Sequence, residues 1–363
     1  MPGTIKQLIK EELFGRVEEE ITIPFTLTTY ADHLTNEIKS GRRTSKKGTP
    51  LSNSIYKIYK TNTEVLKEFE KTRRSAISFN DVTNSFYHDF MEFLRTNRRY
   101  SPNTIGKHIG TLKAILKAAG KEGHTTRTDY IDFAVISEEV DNIYLNEVEL
   151  KQIADLDLSD PDKFIEIVTG EGEAAGIMKV SFNSLDKVRD LFLVGCWTGL
   201  RFSDFSKIQA KHFKNGFIEI KTQKTGRNVI IPIHPTVEGI ISKYQGLTEN
   251  SLPPAISNQK MNQFLKGLGK LAGICALVSK GQTKAGITIE KNVPKYTMIS
   301  THSARRSFST NAYNLKVPAL SIMAITGHKT ESNFLKYIKV TSEEHAIKLH
   351  DMWQREIKLK VVV

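Results

Sequence analysis

Leu191-Phe192-Leu193-Val194-Gly195-Cys196-Trp197-Thr198-Gly199-Leu200-Arg201 is the stretch that decides the fold. From Leu191 to Trp197 every helical phase is apolar or small, which marks a helix buried on all sides, and Gly199 supplies its stop. Arg201 therefore emerges directly from a core helix. Taken alone, a cation there is one favoured by the helix dipole. On the C-terminal side, Phe217 to Thr222 and Val229 to Ile233 alternate as short strands, joined through Lys224-Thr225-Gly226-Arg227, a hairpin with glycine in its turn. Beyond lies mostly helical sequence, with a Gly- and Lys-rich interruption from Ser279 to Lys295. Thr341 and Glu344 form a capping-box pattern ahead of Ala346, Leu349, Met352, Trp353 and Ile357, which predicts a C-terminal amphipathic helix.

On the N-terminal side, Asn146 followed by Glu149 is another capping box, so a helix and a new domain open there, with the boundary near residue 140. Between this helix and the Leu191 helix runs an extended segment, about Ser159 to Asn183, that is either a surface loop or an added hairpin. Asp155 and Asp157 lack the glycine and terminal glutamate of a calcium loop and fit a helix-end turn. Upstream, Ile55, Ile58, Tyr59, Val65, Leu66 and Phe69 form one amphipathic helix, and Phe86, Phe90, Phe93 and Leu94 a second. Ser101-Pro102 opens a third, with Ile105, Ile109, Leu112, Ile115 and Leu116 inward. Its outer face carries Lys107, Lys113, Lys117 and Lys121.

The chain has 363 residues, enough for two to three domains and a substantial core. Its 52 Lys and Arg against 40 Asp and Glu leave a net charge of +12, which favours a polyanionic partner, nucleic acid first. The cations cluster. Lys39, Arg42, Arg43, Lys46 and Lys47 make a mobile basic loop, and Arg95, Arg98, Arg99, Lys107, Lys113, Lys117, Lys121 and Arg127 face only Glu92 and Glu122 across residues 91–127. Such a face neutralises phosphates with little sequence information. A solvated surface is its plain alternative. Two cysteines, Cys196 and Cys275, are too few for a disulfide framework or a four-ligand zinc site and suit a reducing compartment. The absence of a signal-type h-region or an apolar run of 18 residues points away from secretion and membrane spanning.

Singly, the polar signals in the second domain are weak. His302 and Arg305 share one helix face, and a histidine there is ordinarily structural; Tyr337 would be a core-edge aromatic and Lys224 a solvated turn residue. Together they occur in one order: Thr198-Gly199-Leu200-Arg201-Phe202-Ser203-Asp204, Lys224-Thr225-Gly226, His302-Ser303-Ala304-Arg305, Gly327-His328 and Tyr337. In this the chain resembles the tyrosine recombinases, the phage-integrase family, from about residue 25 to 355, and especially integrases of bacterial mobile elements.

The resemblance implies a mainly α, two-domain protein. After an N-terminal extension (1–24), too short for a folded arm-binding domain, come a helical core-binding DNA-clamp domain (25–138) and an α+β catalytic domain with a small antiparallel sheet (139–363). It implies catalytic roles for Arg201, Lys224, His302, Arg305, His328 and Tyr337, and cleavage and rejoining of DNA strands through a 3′-phosphotyrosyl intermediate. Those residue types suit the chemistry. A tyrosine stores the phosphodiester bond energy as an ester, and guanidinium forks match the two non-bridging oxygens of the phosphorane. A lysine on a hairpin can protonate the departing 5′-oxygen. His302 would move the Tyr337 proton, His328 would donate to the phosphate, and Asp204 would act as a buttress.

No metal or other cofactor is needed. DNA binding is expected at Arg42, Arg43, Lys46, Lys47, Arg98, Arg99 and Lys107. The expected partners are double-stranded recombination sites, three further copies in a tetramer on DNA, and accessory DNA-bending proteins, in a bacterial cytoplasm. The Ser159–Asn183 segment is longer than the family's usual connection. Two rival readings keep the same residues: a type IB topoisomerase that relaxes DNA as a monomer, and a DNA-binding regulator that does not cleave.

Overall fold

The structure, a computed structural model, describes residues 25–170, 176–284 and 287–338, together with 346, 349, 350 and 353. The N-terminal extension and the Thr341–Glu344 capping box lie outside the described residues, as does most of the helix expected after it. The chain divides into two compact units, residues 1–139 with 282–289, and 140–281 with 290–363.

In the first unit α1 (Leu27–Lys39), α2 (Asn53–Arg73), α3 (Asn84–Thr96) and α4 (Pro102–Lys121) surround one apolar core. Ser52 and Thr83 accept the backbone N–H of Ile55 and Phe86 and so cap α2 and α3, while Pro102 occupies the first position of α4. The Phe69 ring lies 5.1–5.7 Å from those of Phe86, Phe90 and Phe93, so aromatic edges join α2 to α3. Helix α1 has no counterpart among the sequence expectations. Its Tyr30, Ala31, Leu34 and Ile38 are buried, and Tyr30 Oη donates to Glu122 at 2.9 Å.

The basic loop after α1, expected to be mobile, is closed on itself by backbone hydrogen bonds. Thr44 bridges Pro50, and Ser45 N–H donates to Thr49 at 2.7 Å. Its Arg43 turns inward to Glu37 and Glu122 at 2.6 and 2.5 Å.

The second unit is built around α6 (Phe182–Thr198), which follows α5 (Glu147–Ala154) and the strands β1 (Phe164–Thr169) and β2 (Gly176–Ser181). The Asn146–Glu149 capping box forms in both directions at 2.9 Å. The long Ser159–Asn183 segment is a hairpin: β1 and β2 pair antiparallel with Ile165 opposite Val180 and Ile167 opposite Met178. After α6 come the short helix α7 (Phe202–Phe205), then β3 (Phe213–Lys214), β4 (Phe217–Lys221) and β5 (Asn228–Pro232) in one antiparallel sheet. Helices α8 (Pro235–Tyr244) and α9 (Asn258–Leu271) follow. The Gly- and Lys-rich interruption is a second hairpin, β6 (Leu277–Lys284) and β7 (Ile287–Pro294), whose residues 282–289 count with the first unit, and it leads to α10 (Thr301–Asn314), α11 (Ala319–Thr326) and α12 (Glu331–Leu335) in the second.

Helix α6 is buried along Leu191, Phe192, Leu193, Val194 and Cys196, as its composition requires. Its close approach to α10 depends on Gly195, where a Cβ would sit 3.2 Å from Ala304 Cβ and 2.8 Å from the Phe205 ring. Gly199 ends α6 at φ +65° with its N–H on Gly195, a conformation only glycine takes without strain. A Cβ there would lie 2.4 Å from the Phe308 ring. These two glycines thus set how the chain around Arg201 meets the helix that carries His302 and Arg305.

Candidate active site

Arg201 occupies the N-cap position of α7, immediately after the buried turn Gly199-Leu200. One of its terminal nitrogens, Nη1, is buried and has no hydrogen-bond partner. Arg305, one turn into α10 and 1% exposed, donates Nη1 to the Gly199 carbonyl at 2.9 Å, and its Nε too is buried without a partner. Burial, and after it the Arg201 charge, push the Arg305 pKa down, while Tyr337 and Asp204 oppose the shift. Two guanidinium groups with unfilled donors therefore share one buried place, an arrangement that favours an anion.

Asp204 is fully buried. Its Oδ1 accepts the Gln223 N–H at 2.8 Å, whereas Oδ2 has no hydrogen-bond partner. This fastens α7 to the start of the Lys224 turn and sets a negative charge behind the arginines, in keeping with a buttress. The turn is knotted by Thr222, whose hydroxyl meets that of Thr225 at 2.7 Å, and by Gly226 at φ +66° donating to the Thr222 carbonyl at 2.9 Å. Arg227 Nη1 donates to the His328 carbonyl at 3.2 Å, tying the turn to the next segment. Lys224 itself is exposed at the tip, and its charge is felt at His302.

His328 is 5% exposed and its Nε2 lies 2.9 Å from Arg305 Nη2. Because a guanidinium only donates, Nε2 accepts, and the proton sits on Nδ1, 2.8 Å from Thr326 Oγ1. The Thr326 hydroxyl in turn donates to Ile322 at 2.6 Å. Burial, then Arg305, Arg201 and His302, lower the His328 pKa to about 3. In this DNA-free arrangement both His328 ring nitrogens are engaged within the protein, at Arg305 and Thr326.

Tyr337 follows α12, which is anchored by the fully buried Phe334 against the His328 ring at 5.6 Å. Its backbone carbonyl accepts from Thr310 at 3.2 Å. The hydroxyl meets His302 Nε2 at 3.1 Å. The His302 pKa falls to about 4, first through desolvation, then through Arg306, Arg305, Arg201 and Lys224. A neutral imidazole is thus the form that faces the phenol at neutral pH, and in the tautomer protonated at Nδ1 its Nε2 accepts from the hydroxyl. The Arg305 guanidinium carbon lies 5.4 Å from the Tyr337 ring centroid and that of Arg306 6.0 Å.

Direct contacts thus join His302, Arg305, His328 and Tyr337, and the fields of Arg201 and Lys224 reach the same histidine. Arg227, Thr326 and Arg306 were not foreseen; only the Lys224-Thr225-Gly226-Arg227 turn and the doubled Arg305-Arg306 offered any sequence hint.

Of the expected DNA contacts in the first unit, Arg42, Lys46, Lys47, Arg99 and Lys107 are exposed. Arg98 is tied to Glu68 at 2.8 Å and to Tyr100 Oη at 2.7 Å, while Arg43 holds the internal ion pairs described above. Lys113, counted in the basic face, instead donates to the carbonyls of Ile131 and Phe133 at 2.8 and 2.6 Å.

A helical unit followed by a mainly helical unit with small antiparallel sheets, holding a cation-lined tyrosine, defines a class of DNA-processing protein that the comparisons place. The phage integrase SAM-like domain matches residues 26–135 and the phage integrase family residues 170–344, so the chain belongs to the phage integrase, or tyrosine recombinase, family. Over 175 residues it is 28% identical to the tyrosine recombinase XerA of Pyrococcus horikoshii, a match covering 48% of this chain and 56% of that protein. The chain therefore spans little more than half the length of that relative.

A lambda integrase dimer bound to a COC′ core site has a similar fold, with TM-score 0.62 at 14% identity over 87% of this chain and 96% of that one. The Tn1549 transposon integrase in complex with circular intermediate DNA gives TM-score 0.59 at 14% identity, covering 90% and 99%. At such identity these likenesses concern the fold. No described helix is long and apolar enough to cross a membrane.

Proposed function

We propose that this chain is a site-specific DNA recombinase that cleaves and rejoins strands through a 3′-phosphotyrosyl intermediate on Tyr337, and that it integrates or excises a mobile element as a tetramer on double-stranded DNA. The observation that carries the reading is the pair of unfilled buried donors, Arg201 Nη1 and Arg305 Nε, in the same site as a tyrosine hydroxyl hydrogen-bonded to a neutral histidine. A scissile phosphate supplies what those donors lack. Its two non-bridging oxygens take the guanidinium N–H groups, which stay charged while the phosphorane forms.

As Tyr337 Oη attacks phosphorus, His302 Nε2 accepts the phenol proton. The bond from phosphorus to the 5′-oxygen breaks, and Lys224, free at the tip of its turn, protonates that oxygen. The products are a 3′-phosphotyrosine and a 5′-hydroxyl. In rejoining, the neutral Lys224 amine takes the proton of the 5′-hydroxyl of another strand as its oxygen attacks phosphorus, the bond from phosphorus to Tyr337 Oη breaks, and His302 returns its proton to the departing phenolate. Asp204, Arg227 and Thr326 hold the Lys224 turn, the His328 segment and the Arg305 fork in register.

The test uses a duplex nicked just beyond the cleavage point, which traps the adduct by losing the short product. Mass mapping is expected to find the nucleotide on Tyr337, with no adduct from Tyr337→Phe. A covalent nucleotide on any other residue, or DNA binding without any adduct, would overturn the proposal. Relaxation by a monomer, with no joining of two sites, would favour the topoisomerase reading.

A further inference from the structure

Helix α10 presents one more cation to Tyr337 than the proposed chemistry has used. Arg306 is half-buried, and its guanidinium carbon stands 6.0 Å from the Tyr337 ring centroid, beside that of Arg305 at 5.4 Å. No ion pair or hydrogen bond to Arg306 forms among the described residues, so no carboxylate accounts for its placement. Partial burial of an unpaired guanidinium is unfavourable and pushes its pKa down, while Tyr337 is the one group that opposes that shift. A cation held at such a place is stabilised when the aromatic beside it becomes an anion, because the attraction grows from cation–π to full ion pairing.

We propose that Arg306 is a positioning residue for the nucleophile, holding the phenolate form of Tyr337 from the ring face and keeping His302 neutral so that its Nε2 accepts the phenol proton. The inference rests on Tyr337 being the nucleophile. After desolvation, Arg306 is the largest influence holding His302 down, ahead of Arg305, Arg201 and Lys224. The charged and titratable groups around the phenol are therefore His302, Arg305 and Arg306 from α10 and His328 from the segment after α11, with Arg201 and Lys224 acting through His302. Of these, Arg305 already donates to Gly199 and faces His328. Arg306 has no such engagement among the described residues, and its charge drives the imidazole toward its neutral form.

The experiment is single-turnover cleavage of saturating nicked duplex by the full chain, between pH 4 and 8. For Arg306→Ala the acid limb, which begins near the His302 value of about 4, is expected to move about one pH unit upward, with a loss of about fivefold at pH 4 that closes by about pH 7. Arg306→Lys restores most of the limb. Placing 3,5-difluorotyrosine at position 337, a more acidic phenol, restores the rate of Arg306→Ala at low pH. Two outcomes overturn the proposal. One is a loss that is equal at every pH and untouched by the fluorinated phenol; the other is weaker DNA binding with a shallower salt dependence and an unmoved limb, which makes Arg306 a phosphate contact. Adduct mapping in the same samples separates the two levels: an adduct absent from Tyr337 refutes the nucleophile, whereas an adduct on Tyr337 with an unmoved limb refutes only Arg306.

Discussion

Replacing Gly199 by alanine tests whether one glycine sets the Arg305 fork. Two independent penalties are expected. The residue sits at φ +65°, where an L side chain costs about 1–2 kcal/mol, and its new Cβ would fall 2.4 Å from the Phe308 ring, an overpacking that costs about 1–3 kcal/mol. The sum, about 2–5 kcal/mol, corresponds to a fall in Tm of about 4–20 °C for a unit of this size. Gly226→Ala is the internal control, because at φ +66° it bears the backbone term with nothing within 4 Å of its Cβ. Trp197, two residues before Gly199, allows fluorescence-detected urea melts to follow the second unit. Moving the Gly199 carbonyl also loosens the bond it accepts from Arg305 Nη1 at 2.9 Å, so cleavage on saturated DNA should fall further for Gly199→Ala than for Gly226→Ala. Combining Gly199→Ala with Phe308→Leu should return part of the packing term and leave the backbone term. Equal destabilisation by the two single alanines would refute the close-approach argument, and full stability loss with unchanged cleavage would refute the link to Arg305.

Arg201→Gln should abolish cleavage yet leave the free protein as stable or more stable in urea melts, since it removes a charge whose buried Nη1 has no partner and which pushes Arg305 down. Marked destabilisation would show that the charge is satisfied in the free protein. The pKa values of His302, His328 and His108 are lowered to about 4, 3 and 4, so folding excludes protons that the unfolded chain binds below about 6.5. Stability should therefore be complete above that pH and decline as pH falls toward 4; a urea midpoint flat from pH 7 to 4.5 would contradict it. Substituting sulfur for the 5′-bridging oxygen should rescue Lys224→Ala but not Tyr337→Phe, because a thiolate leaves without a proton. Rescue of a His302 variant instead would move the proton donor to His302.

The core of both units was legible because their helices obey simple periodicity: Phe86, Phe90 and Phe93 recur at three and four, and the Leu191 helix has no polar phase. Helix α1 has the same spacing at Leu27, Tyr30, Ala31, Leu34 and Ile38, but Thr28, Thr35 and the charged residues between them dilute it. Its burial is settled by Glu70, which accepts the Thr28 hydroxyl at 3.0 Å and the Ile77 N–H at 2.8 Å, contacts that no local pattern contains. The Ser279–Lys295 hairpin was hidden because Lys280, Lys284 and Lys291 interrupt any alternation, and its pairing comes from backbone rather than from a buried face. In the basic surfaces, counting cations overstated what is free. Arg43, Arg98 and Lys113 each have a partner inside the first unit, and whether a lysine finds the carbonyls of Ile131 and Phe133 depends on chain twenty residues away.

The residues gathered around Tyr337 carry unequal information for a related reason. Arg201, His302, Arg305 and Tyr337 can be picked out by type and order because phosphate and proton chemistry restrict the choice. Their supports are less restricted: the Gln223 N–H, the Ile322 carbonyl and the Gly199 carbonyl are backbone groups that every sequence offers. What the structure adds is the charge balance. Four cations, Arg201, Lys224, Arg305 and Arg306, bear on His302, while Asp204 is the carboxylate that stands behind the arginines. Such a site is unfavourable to itself until a phosphate enters, so the anion relieves repulsion as well as making hydrogen bonds. The same entry weakens the field that keeps His302 at about 4. On the proposed mechanism the imidazole then becomes a better proton acceptor when the phosphorus to be attacked is in place, which ties proton transfer from Tyr337 to substrate occupancy rather than to pH alone.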